Sequence, residues 1–289
     1  MSSLTLRLLG VIEGWYRPRD LDEAYMLAAV AKANKLYLSF LRAARDYLYS
    51  DLVREEKRYS WYIGNALDVA KTLRGLRYAF YKFRKPFEHV SVDLDILIDP
   101  RHVSEAVSRL AGKGFKVIVS EPYTVTLRRG SFIVDLYTQP SFAWVIYVSG
   151  EDLLREYTEE FEFYGGTVRG ITREAEVAVS AAHSVYKEHL APLVDCLTLW
   201  KWSNKRVLDI ADRLGVYDSI KILSSICHNI LRGVEAPVRI HPALLAKAYF
   251  RKALEDPFFR GTSLNIIKYL IGKSEVGRLV LWRLTRKSY

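Results

Sequence analysis

Residues 91–100 constrain this chain more than any other stretch, because they combine a strand pattern with acids that a strand does not need. Val92, Leu94, Ile96 and Ile98 alternate with Asp93, Asp95 and Leu97, and a period of two puts Asp93 and Asp95 side by side on one face of a β-strand. Two carboxylates about 7 Å apart along a strand repel each other. Such a pair persists where cations neutralise it, whether Lys, Arg or a divalent metal, and hard oxygen ligands suit Mg²⁺. The competing reading is an edge strand whose polar face is solvated.

A second acidic strand narrows the choice. Residues 115–120, 123–128 and 131–137 read as further strands, with a turn at Arg129 and Gly130. In the last of them Phe132, Val134 and Leu136 alternate with Ile133, Asp135 and Tyr137, so Asp135 lies mid-strand among apolar neighbours, where a carboxylate needs a partner. Three acids on adjacent strands can hold the two-metal clamp that in-line phosphoryl or nucleotidyl transfer uses.

These residues resemble the nucleotidyltransferase superfamily that includes DNA polymerase β. Its strand of alternating apolar residues and aspartates is matched by Val92, Asp93, Leu94, Asp95 and Ile96, and its later carboxylate by Asp135. More narrowly, the chain is similar to a nucleotidyltransferase-like family of bacteria and archaea, with a helical lead-in before the Asp strand and an Ala-His helix further on. Residues 174–189, with Ala182 and His183, match that helix. The resemblance spans roughly residues 20–205.

What the resemblance implies is transfer of a nucleoside monophosphate from an NTP to an acceptor, with release of pyrophosphate. Asp93, Asp95 and Asp135 would be the catalytic ligands of a two-metal Mg²⁺ site. Nucleotide-binding candidates are Lys82, Arg84 and Lys85, just ahead of the Asp strand, with His183 and Lys187 on the later helix. One feature departs from the superfamily. A Gly-Gly or Gly-Ser pair usually opens a helix some ten residues before the first Asp, and its backbone N–H groups hold phosphate. Residues 78–87 contain no glycine. Side chains of Lys82, Arg84 and Lys85 would then do by charge what the backbone does elsewhere. The alternative is a catalytically inactive relative that binds nucleotide or RNA through the same cleft.

The expected fold is α+β, a small mixed β-sheet nucleotidyltransferase-like core flanked by N-terminal and C-terminal helical lobes. Small size and helices confined to one face of the sheet separate it from a doubly wound sheet. The chain divides into a helical lobe at 1–75, the core at 76–150 and a C-terminal helical domain at 151–289. Asp20 or Asp22 can cap the first helix of residues 20–75, the charge run at 54–58 reads as a solvated face, and Gly75 as a helix stop. No Gly, Ser or Pro linker follows, so this lobe should pack on the core. Residues 159–172 read as a hairpin, after which Thr172 caps a long helix. On that helix His183 and Lys187 share a face, while His189 does not, which disfavours a two-histidine metal site.

A net charge of +10 points to an anionic partner, and RNA, with a tRNA-like end, is the acceptor it favours. A small cationic acceptor would suit an acidic cleft better. The segment 278–287, where bases alternate with apolar residues, reads either as a phosphate-tracking tail or as an amphipathic last helix. A single glutamine, two methionines and abundant charge suggest a thermophile. Cys196 and Cys227 read as buried thiols, with a bridge between them open for a hyperthermophile. No run of about 18 apolar residues and no signal-peptide pattern occurs, so the expected location is cytoplasmic, without a membrane.

Overall fold

The computed structural model describes residues 3–272, so the basic segment 278–287 lies outside the described residues. In chain order come α1 (Leu4–Ile12), α2 (Leu21–Ala33), α3 (Tyr37–Ala43), α4 (Tyr49–Thr72), β1 (Tyr78–Phe80), β2 (Asp93–Ile98), α5 (Val103–Ala111), β3 (Lys116–Glu121), β4 (Thr124–Arg129) and β5 (Phe132–Tyr137). There follow β6 (Ser141–Phe142), β7 (Val145–Ile146), α6 (Gly150–Glu156), β8 (Thr158–Phe163), β9 (Gly166–Ile171), α7 (Arg173–His183) and a π-helical turn (Ser184–Glu188). The last described part holds β10 (Leu190–Ala191), α8 (Leu193–Trp202), α9 (Lys205–Arg213), α10 (Tyr217–Leu231), β11 (Val238–Arg239), α11 (Pro242–Glu255), α12 (Pro257–Ser263) and α13 (Asn265–Gly272).

Caps set the helix starts. Asp20 accepts from Glu23 N–H to open α2, and Thr172 accepts from Ala175 N–H to open α7, each satisfying a backbone donor that the helix leaves free. Helix α4 gives way to Gly75 at φ 85°, a left-handed turn residue that sends the chain into β1.

The sheet is mixed and seven-stranded, in the order β3-β4-β5-β2-β1-β9-β8, which makes the fold α+β. The 158–171 hairpin joins it through a parallel β1–β9 contact, so the sheet runs past residue 150. Helices cover both faces of the sheet, where the sequence suggested one. On one face Phe80, Leu94, Ile96, Ile98, Val134 and Leu136 pack against Ile63, Ala66 and Val69 of α4 and Ala106 and Leu110 of α5. On the other, Ala79, Tyr81, Leu97 and Tyr137 belong to a second core with Leu153 of α6 and Val177 and Ala181 of α7. Alternation along a central strand cannot reveal this, because the acids Asp93, Asp95 and Asp135 make one face read as solvated.

Cys196 on α8 and Cys227 on α10 form a disulfide, correcting their reading as thiols. Both are fully buried where the two helices meet. Among the described residues no helix is long and apolar enough to cross a membrane.

Candidate active site

Burial of Leu94 and Ile96 against α4 and α5 forces Asp93 and Asp95 onto the opposite face of β2. β2 and β5 run parallel, with Asp95 directly beside Asp135 and Asp93 beside Ile133. The three carboxylates therefore converge, each offering an oxygen within 4.8 Å of the others. Thr126 on β4, opposite Asp135, donates to its Oδ1 at 2.5 Å, and Ser91 donates to Asp93 Oδ1 at 3.1 Å. Asp95 Oδ1 is buried and has no hydrogen-bond partner among the described residues. A buried carboxylate oxygen left bare fits a site built for a cation, and carboxylate oxygens are the donors that Mg²⁺ takes.

Electrostatics separate the three acids. Burial and the neighbouring Asp95 push Asp93 above its ordinary value. Burial pushes Asp135 up to about 6, opposed by the Thr126 hydrogen bond and assisted by Asp95 and Asp93. Burial acts on Asp95 in the same sense, yet the ammonium groups of Lys82 and Lys187 hold it below the usual range. Lys82 Nζ lies 2.9 Å from Asp95 Oδ2.

Lys82 is aimed by the backbone. β1 ends at Phe80, Tyr81 N–H bonds the Asp95 carbonyl at 3.1 Å, and Lys82 adopts φ 54°, a left-handed conformation uncommon for a side-chain-bearing residue. Phe83 N–H and Arg84 N–H then both donate to Glu176 Oε1 on α7, at 3.0 and 3.1 Å. These main-chain donors face an internal carboxylate and are not free for a phosphate. The other two predicted cations of this loop are engaged as well. Arg84 turns away from the cavity to pair with Glu159 on β8, its guanidinium 4.1 Å from the Phe161 ring centre. Lys85 Nζ bonds Asp195 Oδ1 at 3.0 Å and Ser180 Oγ at 2.6 Å.

Helix α7 passes at His183 into the π-helical turn, so the long helix read from the sequence is interrupted there. His183 and Lys187 still reach the same cavity. His183 Nδ1 is 3.3 Å from Tyr147 Oη and its Nε2 is 3.3 Å from Glu188 Oε1. Burial and the nearby Lys82 lower its pKa to about 3, so the imidazole is neutral and the Glu188 contact is a hydrogen bond. Lys187 Nζ lies 3.3 Å from Tyr137 Oη, and burial with Lys82 lowers its pKa. His189 sits apart, against Tyr249.

Asp93, Asp95, Lys82, Lys85, His183 and Lys187 all line one cavity of about 670 Å³. Its opposite wall was not foreseen. Asp51, Arg54, Glu55 and Arg58 of α4 face it, together with Lys32, Lys35 and Tyr37. The charge run at 54–58 is thus part of the cavity wall, with Glu55 buried and bonded to Arg58 at 2.6 Å. The i, i+3, i+4, i+7 spacing of residues 51, 54, 55 and 58 was the available signal, since it places them on one helical stripe. Lys32 and Lys35 have no ion-pair partner among the described residues. Asn34 between them is buried, donates to the Val30 and Ala236 carbonyls and accepts from Leu193 N–H, which fixes the turn that presents Lys35 at φ 58°.

No family model matches the sequence, and no curated protein matches it. Among solved structures, the fold is similar to a crystal structure of ANT(2″)-Ia in complex with adenylyl-2″-tobramycin, with a TM-score of 0.34 and 12% identity over 58% of this chain and 98% of that one. It is also similar to a solution structure of the antibiotic-resistance factor ANT(2″)-Ia, with a TM-score of 0.33 and 12% identity over 62% and 95%. At these scores neither likeness carries an argument about function.

Proposed function

We propose that this chain is a Mg²⁺-dependent nucleotidyltransferase that moves a nucleoside monophosphate from an NTP to an RNA hydroxyl and releases pyrophosphate. The observation that carries the reading is the convergence of Asp93, Asp95 and Asp135 on one sheet face, with Asp93 and Asp95 lining a cavity of nucleotide size. These three carboxylates would hold Mg²⁺, which when bound supplies Lewis-acid stabilisation of the charge developing on the phosphoryl oxygens. Asp135, beside Asp95 on the neighbouring strand, is placed to assist deprotonation of the attacking hydroxyl, and Thr126 fixes its orientation. Lys187, with Lys32, Lys35 and Arg54 across the cavity, offers positive charge to the polyphosphate and to the acceptor backbone.

The direct test is labelled-NTP transfer to total RNA with Mg²⁺, with an aminoglycoside such as tobramycin as the contrasting small acceptor. A Mg²⁺–NTP mixture should also raise the melting temperature, since a ligand that binds only the folded state stabilises it. No transfer to RNA with transfer to the aminoglycoside would reverse the acceptor assignment. RNA binding is expected to weaken linearly in log[salt], and Lys32→Ala with Lys35→Ala should reduce that slope by about 1.4 to 1.8. An unchanged slope would move the RNA path elsewhere.

A second reading has one observation in its favour. With Phe83 and Arg84 N–H committed to Glu176 and no glycine pair nearby, the main-chain phosphate cradle is lacking, as in a relative that binds nucleotide without turning it over. Nucleotide-dependent stabilisation without transfer to any acceptor would select it.

A further inference from the structure

We propose that Lys82 is a tethered cation standing in for one of two metal ions, so that the nucleotide-free protein holds a single divalent ion among Asp93, Asp95 and Asp135. The inference rests on the metal-binding reading above and sharpens it. A carboxylate between two ions presents one oxygen to each. Asp95 has only one to present: Oδ2 is 2.9 Å from Lys82 Nζ, and Oδ1 is the bare, buried oxygen.

Lys82 is held in this position from both sides. Ahead of it, Tyr81 is locked to β2 by its hydrogen bond to the Asp95 carbonyl. Behind it, the next two N–H groups are fixed by Glu176. Its ammonium lies 5.0 and 5.6 Å from the ring centres of Tyr81 and Tyr137, which favour a cation but do not replace its hydration. A buried ammonium so placed needs a carboxylate, and Asp95 is the one within reach. Charge leads to the same count. Three carboxylates facing Lys82 and Lys187 leave one net negative charge, which a single divalent ion already overcompensates. A second ion would enter a positive site until a polyphosphate arrives.

The opposing view is that Lys82 is a structural partner that holds Asp95 in place for metals. The two views predict opposite signs for its removal. The test uses the full chain and Mn²⁺ alone, titrated by calorimetry and by the spin resonance of free Mn²⁺. Wild type is expected to take one Mn²⁺ per chain. Lys82→Met, close in length and without charge, should bind Mn²⁺ at least tenfold more tightly or take a second ion, and Lys82→Gln should move in the same direction. Two ions in the wild type, or unchanged or weaker binding in both variants, would overturn the inference and leave the metal site standing. Mn²⁺ binding to none of the three proteins would overturn the metal reading itself. Two ions in the wild type overturn the inference even if one variant fails to fold, and the other variant then carries the sign.

Discussion

Asp95→Asn is expected to abolish Mg²⁺-dependent transfer and to destabilise the protein, whereas Asp93→Asn should abolish transfer and leave stability equal or higher. Loss of a metal ligand should lower the rate by at least a hundredfold to a thousandfold, the scale of losing one electrostatic contact to the transition state. The stability effects diverge because the partners differ. Removing the charge at Asp95 leaves Lys82 buried without its counterion, at a cost of about 3 kcal/mol. Asp93 has the opposite balance. Its folded pKa is raised, so the folded state resists its ionisation, and the penalty is absent at low pH and grows as pH rises from the ordinary value through the folded one. Asparagine removes that penalty. The measurements are transfer assays and denaturant unfolding in a chelator. Equal destabilisation by the two changes would remove the Lys82–Asp95 pair from the explanation, and retained activity in either variant would remove that acid from the site.

Glu23→Ala should cost about 3 kcal/mol, or roughly 5 °C in Tm for a chain of this length. Glu23 is buried on α2, where one carboxylate pairs with Arg7 of α1 and accepts from Tyr16 Oη at 2.8 Å, Arg19 N–H at 2.8 Å and Arg19 Nε at 3.1 Å. Alanine leaves all of these donors without their acceptor, Arg7 being the most enclosed. Burial works against the charge, but the hydrogen bonds from Arg19, Tyr16 and Arg7 win and hold the pKa at about 2. The stabilisation is therefore complete above the ordinary carboxylate pKa of about 4.3 and is lost as pH falls through about 2. Denaturation curves between those limits should fall more steeply in wild type than in Glu23→Ala. Parallel acid limbs would show that Glu23 is not the group responsible.

The Asp strand could be read in advance because its pattern is local. Alternation over six residues places Asp93 and Asp95 on one face, and the same rule places Asp135, so the convergence of all three needed only the pairing of β2 with β5. Thr172 as the cap of α7 was legible for the same reason. What escaped depends on distant partners. Lys82, Arg84 and Lys85 look equivalent in the chain, yet their acids come from β2, β8 and α8, so one faces the carboxylates, one leaves the cavity and one is neutralised. Helix α1 falls inside the helical lobe read at 1–75, but its start and end were not placed, since the partner of Arg7 within it, Glu23, lies on the next helix. The cysteines are separated by 31 positions, and only the packing of α8 on α10 brings them together.

The stitching of the first helix to residue 235 bears on how the molecule can move. Glu235 accepts from Leu4 N–H, Thr5 N–H and the Thr5 hydroxyl, while Ala236 N–H donates to that hydroxyl at 2.8 Å. Asn34 adds a second tie from the end of α2 to Leu193 and Ala236. The wall that carries Lys32 and Lys35 is thus anchored by two struts to Leu193 and to residues 235–236, besides its covalent continuation into α4. A clam-shell motion about the connection near Gly75 would have to shear both struts at once, so the mouth of the cavity behaves as an arch and not as a jaw. Widening of the opening is then expected to come from rotamer changes of the long side chains that line the cavity, such as Lys32, Lys35 and Arg58, more than from rotation of lobes.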